Sequence, residues 1–394
     1  MPHTAIRQIE GDDILEAMYL LPLYSFRASP PLQDRAERDE QVKQRKGVTY
    51  VAAYEDSAVA GIAAASTLTQ NVRGALLPMA GVHNVATHPA DRRKGHGKAM
   101  LAHLLAAMHA NGSVLSCLYP FRESFYERIG YVTLPLVHKV AINPQSLQPA
   151  LKLHLNGKVD LGLLGDNYAA YRDFLFTLRP TIHGMAVFDH ADLAGAKRSN
   201  LWLARAMING ETSGVMLYDL QGERIADFTM RIRRFYYLNS ETKYLLLNWI
   251  ARHIDQASKV EMWLPPYEYP ETWLDDLKVT AQPIDISPMG RVLDVSKIGG
   301  MHCGEGRFTA RISDTLCPWN AGNWQFASMG GLLQVSPAGD AACDLGIQAI
   351  GALVYGTQDP ADFAWRGWGN PSPQMQATMR TMFPPMIPHV YETF

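Results

Sequence analysis

Cysteine is scarce in this chain, and no run of apolar residues is long. The 394 residues include four cysteines, and no two of them are spaced as CxxC. This usage excludes a disulfide-stabilised scaffold or a cysteine-rich metal site, and it is typical of reduced thiols in a cytoplasmic protein. The apolar runs are too short for a transmembrane helix, and the first residues lack the apolar core of a signal peptide. We therefore expect a cytoplasmic protein that has no membrane partner and no bound metal.

An excess of either charge is also missing. Lys and Arg together number 36 against 38 Asp and Glu, which gives a formal net charge of −2. Because nucleic-acid-binding domains usually carry a basic excess, we expect no nucleic-acid partner. The chain is 47% hydrophobic and 19% charged, as in ordinary globular proteins, and its length suits two or three domains.

The most informative stretch runs from Gly81 to Pro120. The sequence predicts a strand up to His88, a basic loop over Pro89–Gly97, and a helix from Lys98 that ends at Gly112. A second strand is predicted over Val114–Leu118. Apolar residues recur in the helix at helical spacing, namely Met100, Leu101, Leu104, Leu105 and Met108.

The loop has the chemistry of a pyrophosphate cradle. The first N–H groups of a helix have no partner within it, and the helix dipole adds positive charge there. Gly95 and Gly97 have no side chains to obstruct a close approach, and the loop is rich in Arg and Lys. The spacing fits neither a P-loop nor a dinucleotide fingerprint. The alternative interpretation is a solvated basic loop that begins an ordinary helix.

The pattern Arg92-x-x-Gly95-x-Gly97, after a strand that ends Val85-Ala86-Thr87, resembles the acetyl-CoA motif of the GNAT superfamily of N-acetyltransferases. The resemblance implies that acetyl-CoA is the cosubstrate. It also implies that the strand end bonds the pantetheine arm and that the loop holds the pyrophosphate. The expected cofactor-binding residues are Val85, Ala86, Thr87, Arg92, Arg93, Lys94, Gly95, His96, Gly97 and Lys98.

A second motif lies downstream, where Phe125-Tyr126 is followed by Gly130-Tyr131. It resembles a GNAT feature in which a tyrosine lies near the sulfur of CoA. A phenol has a reference pKa of about 10, so it is protonated at neutral pH and can donate a proton to the leaving thiolate. Tyr126 is therefore the expected acid. The alternative, a role in packing, suits Phe125 and Tyr131 better.

The remaining sequence predicts two further domains. Residues 200–264 repeat the order hairpin, strand, helix, strand, with the helix predicted over Lys243–Asp255. Their loop at Leu238–Lys243, however, has no glycine and carries Glu241. From Arg291 onward, glycines punctuate short strands, and a proline-rich tail ends at Phe394. The expected fold class is α/β (α+β), with tandem GNAT-like domains and a C-terminal α+β domain. The expected ranges are 1–150 (catalytic), 151–290 (degenerate, unable to bind CoA) and 291–394.

Over its whole length the chain resembles the Eis (enhanced intracellular survival) acetyltransferases. This resemblance implies a sterol-carrier-protein-like third domain, a homo-oligomer that is commonly a hexamer, and acetylation of the amines of aminoglycosides. It also implies that the C-terminal carboxylate is the base and that a tyrosine is the acid. In this chain, those roles fall to Phe394 and Tyr126.

Alternatives remain for the base and for the acceptor. His83, on the strand before the loop, is a rival base, whereas Cys117 lacks an activating partner and is discounted as a nucleophile. The expected substrate-binding residues are Tyr24, Phe26, His83 and Glu392. The loop Ser25–Pro31 carries no acid, which argues against tight aminoglycoside binding and leaves polyamines and protein lysines as acceptors. Two non-enzymatic functions also remain, a CoA-binding sensor or scaffold and a lipid carrier.

Overall fold

The computed structural model describes residues 4–26, 29–284, 286–390, 392 and 394. In the first 134 residues a meander of strands forms a sheet, and one long helix packs on one of its faces. The elements in chain order are β1 (Thr4–Gln8), α1 (Asp12–Ala17), α2 (Leu20–Phe26), α3 (Arg35–Lys43), β2 (Val48–Glu55), β3 (Ala58–Val72), β4 (Ala75–Thr87), α4 (His96–Ala110), β5 (Leu115–Leu118), α5 (Glu123–Glu127) and β6 (Val132–Thr133).

The middle of the chain supplies one long helix and the strands of a second sheet, together with a short strand, Ala186–Phe188, that pairs with β3 of the first sheet. The elements are β7 (His138–Ile142), β8 (Lys158–Leu163), α6 (Tyr168–Leu178), β9 (Ala186–Phe188), α7 (Leu193–Arg198), β10 (Trp202–Ile208), β11 (Glu211–Arg224), β12 (Asp227–Tyr237), α8 (Ser240–Ala251), β13 (Ala257–Leu264) and β14 (Val279–Pro283).

The last part of the chain is short strands followed by three helices. The elements are β15 (Met289–Val292), β16 (Arg307–Ser313), β17 (Gly322–Met329), β18 (Leu332–Pro337), β19 (Asp344–Gly346), α9 (Ile347–Tyr355), α10 (Phe363–Arg366) and α11 (Pro373–Met382). No helix in the described residues is long and apolar enough to cross a membrane.

The local patterns of the sequence correspond to these elements. The predicted helix after the basic loop is α4, and its five apolar positions are all buried at 2% exposure or less. Residues 12–24, which the sequence predicts as one helix, form α1 and α2 instead. The helix predicted from Lys243 begins three residues earlier, because Asn239 accepts a hydrogen bond from the Thr242 N–H and caps it there.

Three sheets organise the described residues. The first has the order β1-β2-β3-β4-β5-β15-β6, with β9 paired to β3. The second has the order β14-β7-β13-β12-β11-β10-β8, and the third β18-β17-β16-β19. In each of the first two sheets, the strand before the long helix pairs in parallel with the strand after it, β4 with β5 and β12 with β13.

The strands β7 and β15 each belong to a different sheet from the strand that precedes them in sequence. β7 follows β6 in sequence but pairs with β13 and β14 of the second sheet. β15 follows the second sheet in sequence but lies between β5 and β6 of the first. The chain therefore divides into two compact units that interleave in sequence. One comprises the described residues of Met1–Leu134, His183–His190 and Pro288–Phe394, and the other comprises those of Pro135–Ile182 and Ala191–Ser287.

In the first unit, β4 and β5 separate two apolar cores. Ala80, Val82 and Leu118 belong to the cluster around α4. Met79 and Cys117 belong to the cluster that contains α9 and the third sheet. Because side chains alternate across a strand, the two clusters lie on opposite faces of the first sheet.

Buried Arg73 connects the β3–β4 turn to the last part of the chain. Its guanidinium donates to the carbonyls of Leu353 and Val354, both at 2.9 Å, at the C-terminal end of α9. It also donates to the carbonyl of Pro384 at 2.9 Å, after α11. Burial lowers the pKa of Arg73 to about 10, so the side chain stays cationic at neutral pH, as the negative end of a helix dipole favours.

Candidate active site

A gap opens where β4 and β5 separate. The two strands pair from Met79↔Leu115 to Val82↔Leu118, where β5 ends. β4 continues to Thr87, where its pairing in the described part of the chain is with β3. A register shift opposite Ala64 and a positive φ of 52° at Asn84 form a bulge at the point of separation. Beyond Val82, one edge of β4 therefore has no neighbouring strand among the described residues, so it can bond an extended ligand.

The loop after β4 turns its backbone toward the first turn of α4. A short 3₁₀ turn over Pro89–Asp91 is followed by left-handed residues at Arg93 (φ 65°) and Gly95 (φ 92°). α4 begins at His96, and the Ala99 N–H donates to the Gly95 carbonyl at 3.1 Å. The N–H groups of the preceding helical residues lack partners within the helix, so they are able to bind an anion.

The charged side chains of the loop differ in how they are held. Arg92 donates from Nε to the Thr87 carbonyl at 3.3 Å, and Lys94 donates to Asp91 at 2.7 Å. Arg93 and Lys98 are exposed. The cationic groups predicted from the sequence thus surround the N-terminus of α4.

His96 differs from its neighbours because its side chain points away from the loop surface. It is 4% exposed, and its Nε2 lies 3.1 Å from Glu55 Oε1, at an angle unsuited to a hydrogen bond. The predicted contribution of His96 to cofactor binding is therefore restricted to its main-chain N–H.

Tyr126 is buried beside this loop. It is 3% exposed and contacts Phe121, Phe125 and Tyr131 edge-on, with ring centroids 5.6, 5.0 and 6.0 Å away. Burial raises the pKa of its phenol well above the ordinary value, so the hydroxyl stays protonated. No hydrogen bond to that hydroxyl is formed within the described part of the chain, which leaves its proton available to a ligand.

Glu127 fixes the short helix that carries Tyr126. Its carboxylate accepts from Arg366 at 2.7 Å and from the Trp368 indole at 3.2 Å. Its carbonyl accepts from Gln348 at 2.8 Å. Three residues of the last domain thereby hold α5 beside the gap.

The last residue of the chain lies on β4. A Cβ added at Gly81 would lie 2.6–2.8 Å from three ring atoms of Phe394. The same ring lies 5.8 Å from that of Tyr119, just after β5. Phe394 packs against the apolar cluster on the face opposite α4, whereas Tyr126 belongs to the cluster on the α4 face. The predicted acid and base therefore approach the gap between β4 and β5 from opposite faces.

His83 lies on the same face as Gly81, two residues along the strand. Asn84 Nδ2 donates to His83 Nδ1 at 2.9 Å, which leaves the proton on Nε2, 2.9 Å from Ser66 Oγ. Burial lowers the pKa of His83 to about 3, so it is neutral and weakly basic at pH 7. Because both ring nitrogens are engaged and the pKa is low, His83 is poorly suited to accept a proton.

Family comparisons agree with this geometry. Models of the acetyltransferase (GNAT) domain match residues 5–134 and 186–292, which together cover more than half of the chain. The chain belongs to the GNAT superfamily of acetyltransferases. A sterol carrier protein domain matches residues 298–391, so the predicted order of tandem GNAT domains and a sterol-carrier-like domain is confirmed.

Solved structures share the fold of the full chain, and three of them match over 100% of both chains. They are a GCN5-related N-acetyltransferase from Anabaena variabilis (19% identity, TM-score 0.85), a probable N-acyltransferase from Enterococcus faecalis (18%, 0.82) and Eis1 from Mycobacterium abscessus (16%, 0.78). The predicted resemblance to Eis is thus confirmed for the fold. A search of curated proteins finds no match.

The predicted acceptor-binding residues of the first GNAT domain lie on the face that carries Phe394. Tyr24 and Phe26 are exposed on α2, which packs against β4. The carbonyl of Glu392 accepts from the Tyr119 hydroxyl at 3.3 Å. α2 extends into the predicted loop Ser25–Pro31, of which Arg27 and Ala28 lie outside the described residues.

The second GNAT domain has a different junction before its long helix. The side chain of Asn239 accepts from the Thr242 N–H at 2.9 Å and occupies the N-terminus of α8. Glu241 carries a carboxylate in the first turn, where it accepts from Asn156 Nδ2 at 3.0 Å. An acid and a capping side chain thus stand where the first domain has bare glycines.

Two residues that contact the end of the chain, Gly81 and Tyr119, were not among those predicted from the sequence. A glycine inside a strand signals a close approach by another group, and Gly81 carried that signal. The group itself, a residue more than 300 positions downstream, has no local signature. Tyr119 carried no signal beyond its position after a predicted strand.

Proposed function

We propose that this protein is an acetyl-CoA-dependent N-acetyltransferase of the Eis type that transfers acetyl groups to primary amines. The supporting observation is the position of Phe394, whose ring lies on β4 at the gap beside β5. A free α-carboxylate has a reference pKa near 3.5 and is therefore an anion when the chain ends there. We assign residues 1–150 to catalysis, 151–290 to a degenerate domain and 291–394 to the domain that delivers the tail.

The donor occupies the gap and the loop. The free edge of β4 at Val85–Thr87 bonds the pantetheine arm, and the N-terminus of α4 with its surrounding cations holds the pyrophosphate. A main-chain N–H near Val85 polarises the thioester carbonyl. Burial of the thioester in the gap strengthens each of these interactions.

The reaction is a direct transfer. The acceptor amine attacks the thioester carbonyl, the new C–N bond forms and the C–S bond breaks. The Phe394 carboxylate takes the proton that the amine loses, and the Tyr126 hydroxyl gives a proton to the CoA thiolate. Both groups exchange protons with solvent before the next turnover. Neither a metal nor a covalent acyl-enzyme is required.

The acceptor is a primary amine of an aminoglycoside-like polyamine or of a lysine. Tyr24 and Phe26 offer exposed rings for an amine to approach, and the Phe394 and Glu392 carboxylates offer opposite charge. We further propose a cytoplasmic homo-oligomer, with a hexamer as the expected state. These assignments depend on the Eis resemblance.

The decisive experiment measures release of CoA thiol with aminoglycosides, polyamines and a lysine peptide. The intact chain is compared with a chain that lacks Phe394 and with one that carries an extra glycine after Phe394. The extension keeps the ring but moves the carboxylate by about 3.8 Å. We expect both variants to lose about 100-fold or more in kcat while acetyl-CoA still binds.

Other results would identify other functions. Full turnover in both variants would remove the carboxylate from the mechanism and return the role of base to His83 or to water. Binding of acetyl-CoA without turnover on any amine would favour a CoA sensor. An apolar ligand that copurifies with the chain would favour a lipid carrier.

A further inference from the structure

The tail between α11 and Phe394 is anchored along its length. The contacts come from the β3–β4 turn, from the end of α9 and from the segment before β9. They are Arg73 Nη2 to the Pro384 carbonyl at 2.9 Å, the Met386 N–H to the Gly356 carbonyl at 3.2 Å and the His389 N–H to the His183 carbonyl at 2.8 Å. The approach of the tail to β4 is thus fixed before its last residues are reached.

The last residue of the tail packs on Gly81, although the backbone conformation of β4 does not require a glycine at this position. Gly81 does not have a positive φ, so its backbone conformation is open to any residue. Nevertheless, the three atoms nearest to a Cβ at this position all belong to the Phe394 ring, at 2.6–2.8 Å. Because carbon atoms pack at about 3.5–4.0 Å, a methyl group at position 81 would displace the ring by about 1 Å.

Tyr119 holds the same end from the other side of the gap. Its hydroxyl donates to the carbonyl of Glu392 at 3.3 Å, and its ring lies 5.8 Å from the Phe394 ring. The Tyr119 side chain therefore contacts both the backbone of Glu392 and the aromatic ring of Phe394. Gly81 and Tyr119 together form what we call the tail seat.

We infer that Gly81 and Tyr119 are positioning residues, which fix the Phe394 carboxylate where it can take the proton of the acceptor amine. This inference rests on the proposed role of that carboxylate as the base. The ring is joined through Cβ to the Cα that carries the carboxylate, so a ring displaced by about 1 Å moves the carboxylate by a similar distance. A displacement of this size at a reacting group costs about 100-fold in rate.

The test substitutes the seat and measures kcat, the KM for the amine and the Kd for acetyl-CoA. We expect Gly81→Ala to lower kcat by about 10-fold to 100-fold, with the Kd for acetyl-CoA unchanged. Tyr119→Phe removes only the hydroxyl, and we expect it to lower kcat by a few-fold. The unchanged Kd reports that each variant is folded.

A double-mutant cycle separates the seat from the rest of the mechanism. Gly81→Ala is also made in the chain that lacks Phe394, where we expect no further loss because no ring is left to displace. An equal loss in both backgrounds would overturn the inference, since glycine would then act through the strand or the donor. Full activity of Gly81→Ala beside an impaired truncated chain would overturn it and leave the proposed function intact. Full activity of the truncated chain would refute the base itself.

Discussion

Replacing Gly97 by alanine is expected to stabilise the protein and weaken its hold on acetyl-CoA. Gly97 is the second residue of α4 and does not have a positive φ. A Cβ there would lie 3.8 Å from the Phe125 ring and 3.9 Å from Thr87 Oγ1, which are ordinary van der Waals contacts. The folded chain therefore accepts alanine without strain, but the new methyl group is carried by the first turn of α4, to which we assign the pyrophosphate.

The two effects have opposite signs and separate magnitudes. Alanine exceeds glycine in helix propensity by at most about 1 kcal/mol, so the free energy of unfolding rises by about 0.5–1 kcal/mol. Loss of one charge-assisted hydrogen bond to the pyrophosphate costs about 1.5–3 kcal/mol. Since about 1.4 kcal/mol corresponds to a factor of ten, the Kd for acetyl-CoA rises by roughly 10-fold to 100-fold.

Urea unfolding of the ligand-free protein and calorimetric titration with acetyl-CoA measure the two effects. S-acetylpantetheine, which lacks the pyrophosphate, is the matched control, and its kcat/KM is expected to be the same for the wild-type chain and Gly97→Ala. A lower free energy of unfolding in Gly97→Ala would show that Phe125 and Thr87 leave too little room for a Cβ at position 97. An unchanged Kd for acetyl-CoA would refute the assignment of the cradle to the N-terminus of α4.

Three further outcomes are expected. Burial lowers the pKa of His183 to about 4 from a reference of 6.5, so the neutral folded form adds stability above pH 6.5 that is lost as the pH falls toward 4. Urea unfolding should show this loss of roughly 3 kcal/mol in the wild-type chain and not in His183→Gln, and the same dependence of the unfolding free energy on pH in both chains would contradict it. Acetyl-CoA should bind with a calorimetric stoichiometry of one per chain, because Glu241 and its neighbours occupy the second cradle, and a value of two would contradict the degenerate assignment. Glu127→Ala should lower kcat by about 10-fold at constant Kd for acetyl-CoA, because α5 then holds Tyr126 loosely, and Glu127→Gln should have an intermediate kcat. Equal kcat values in the two variants and the wild-type chain would show that Glu127 does not position Tyr126.

The sequence pattern predicted those features of the GNAT domains that are determined by residues close together in the chain. The apolar spacing from Met100 to Met108 requires one buried helical face, and Gly95 adopts the left-handed conformation that its position before α4 demands. The N-cap at Asn239 likewise begins α8 where a capping residue stands, although the apolar pattern alone placed that start later. In each case the residues that decide the structure are neighbours in sequence.

Pairings between distant segments were outside the reach of the sequence. β15 reads as an ordinary short strand, and nothing in its four residues identifies β5 and β6 as its neighbours. The buried side chain of His96, in α4, lies beside Glu55 of β2, a residue about 40 positions earlier in the chain. The contact of Phe394 with Gly81 depends on a tail whose path is set by Arg73, His183 and Tyr119, none of which is near it in sequence.

Because β15 is translated long after β5 and β6, the first sheet can be completed only late in synthesis. The first sheet lacks its β5–β6 connection until Val292 has been made, because β15 fills that position. At about 5–20 residues per second, roughly 10–30 s separate the completion of β6 from the arrival of β15 at the ribosome. During that interval the growing chain exposes an unfilled strand slot, which is a template for wrong partners. A chaperone that binds nascent chains is therefore expected to act on this protein between the translation of residues 134 and 292.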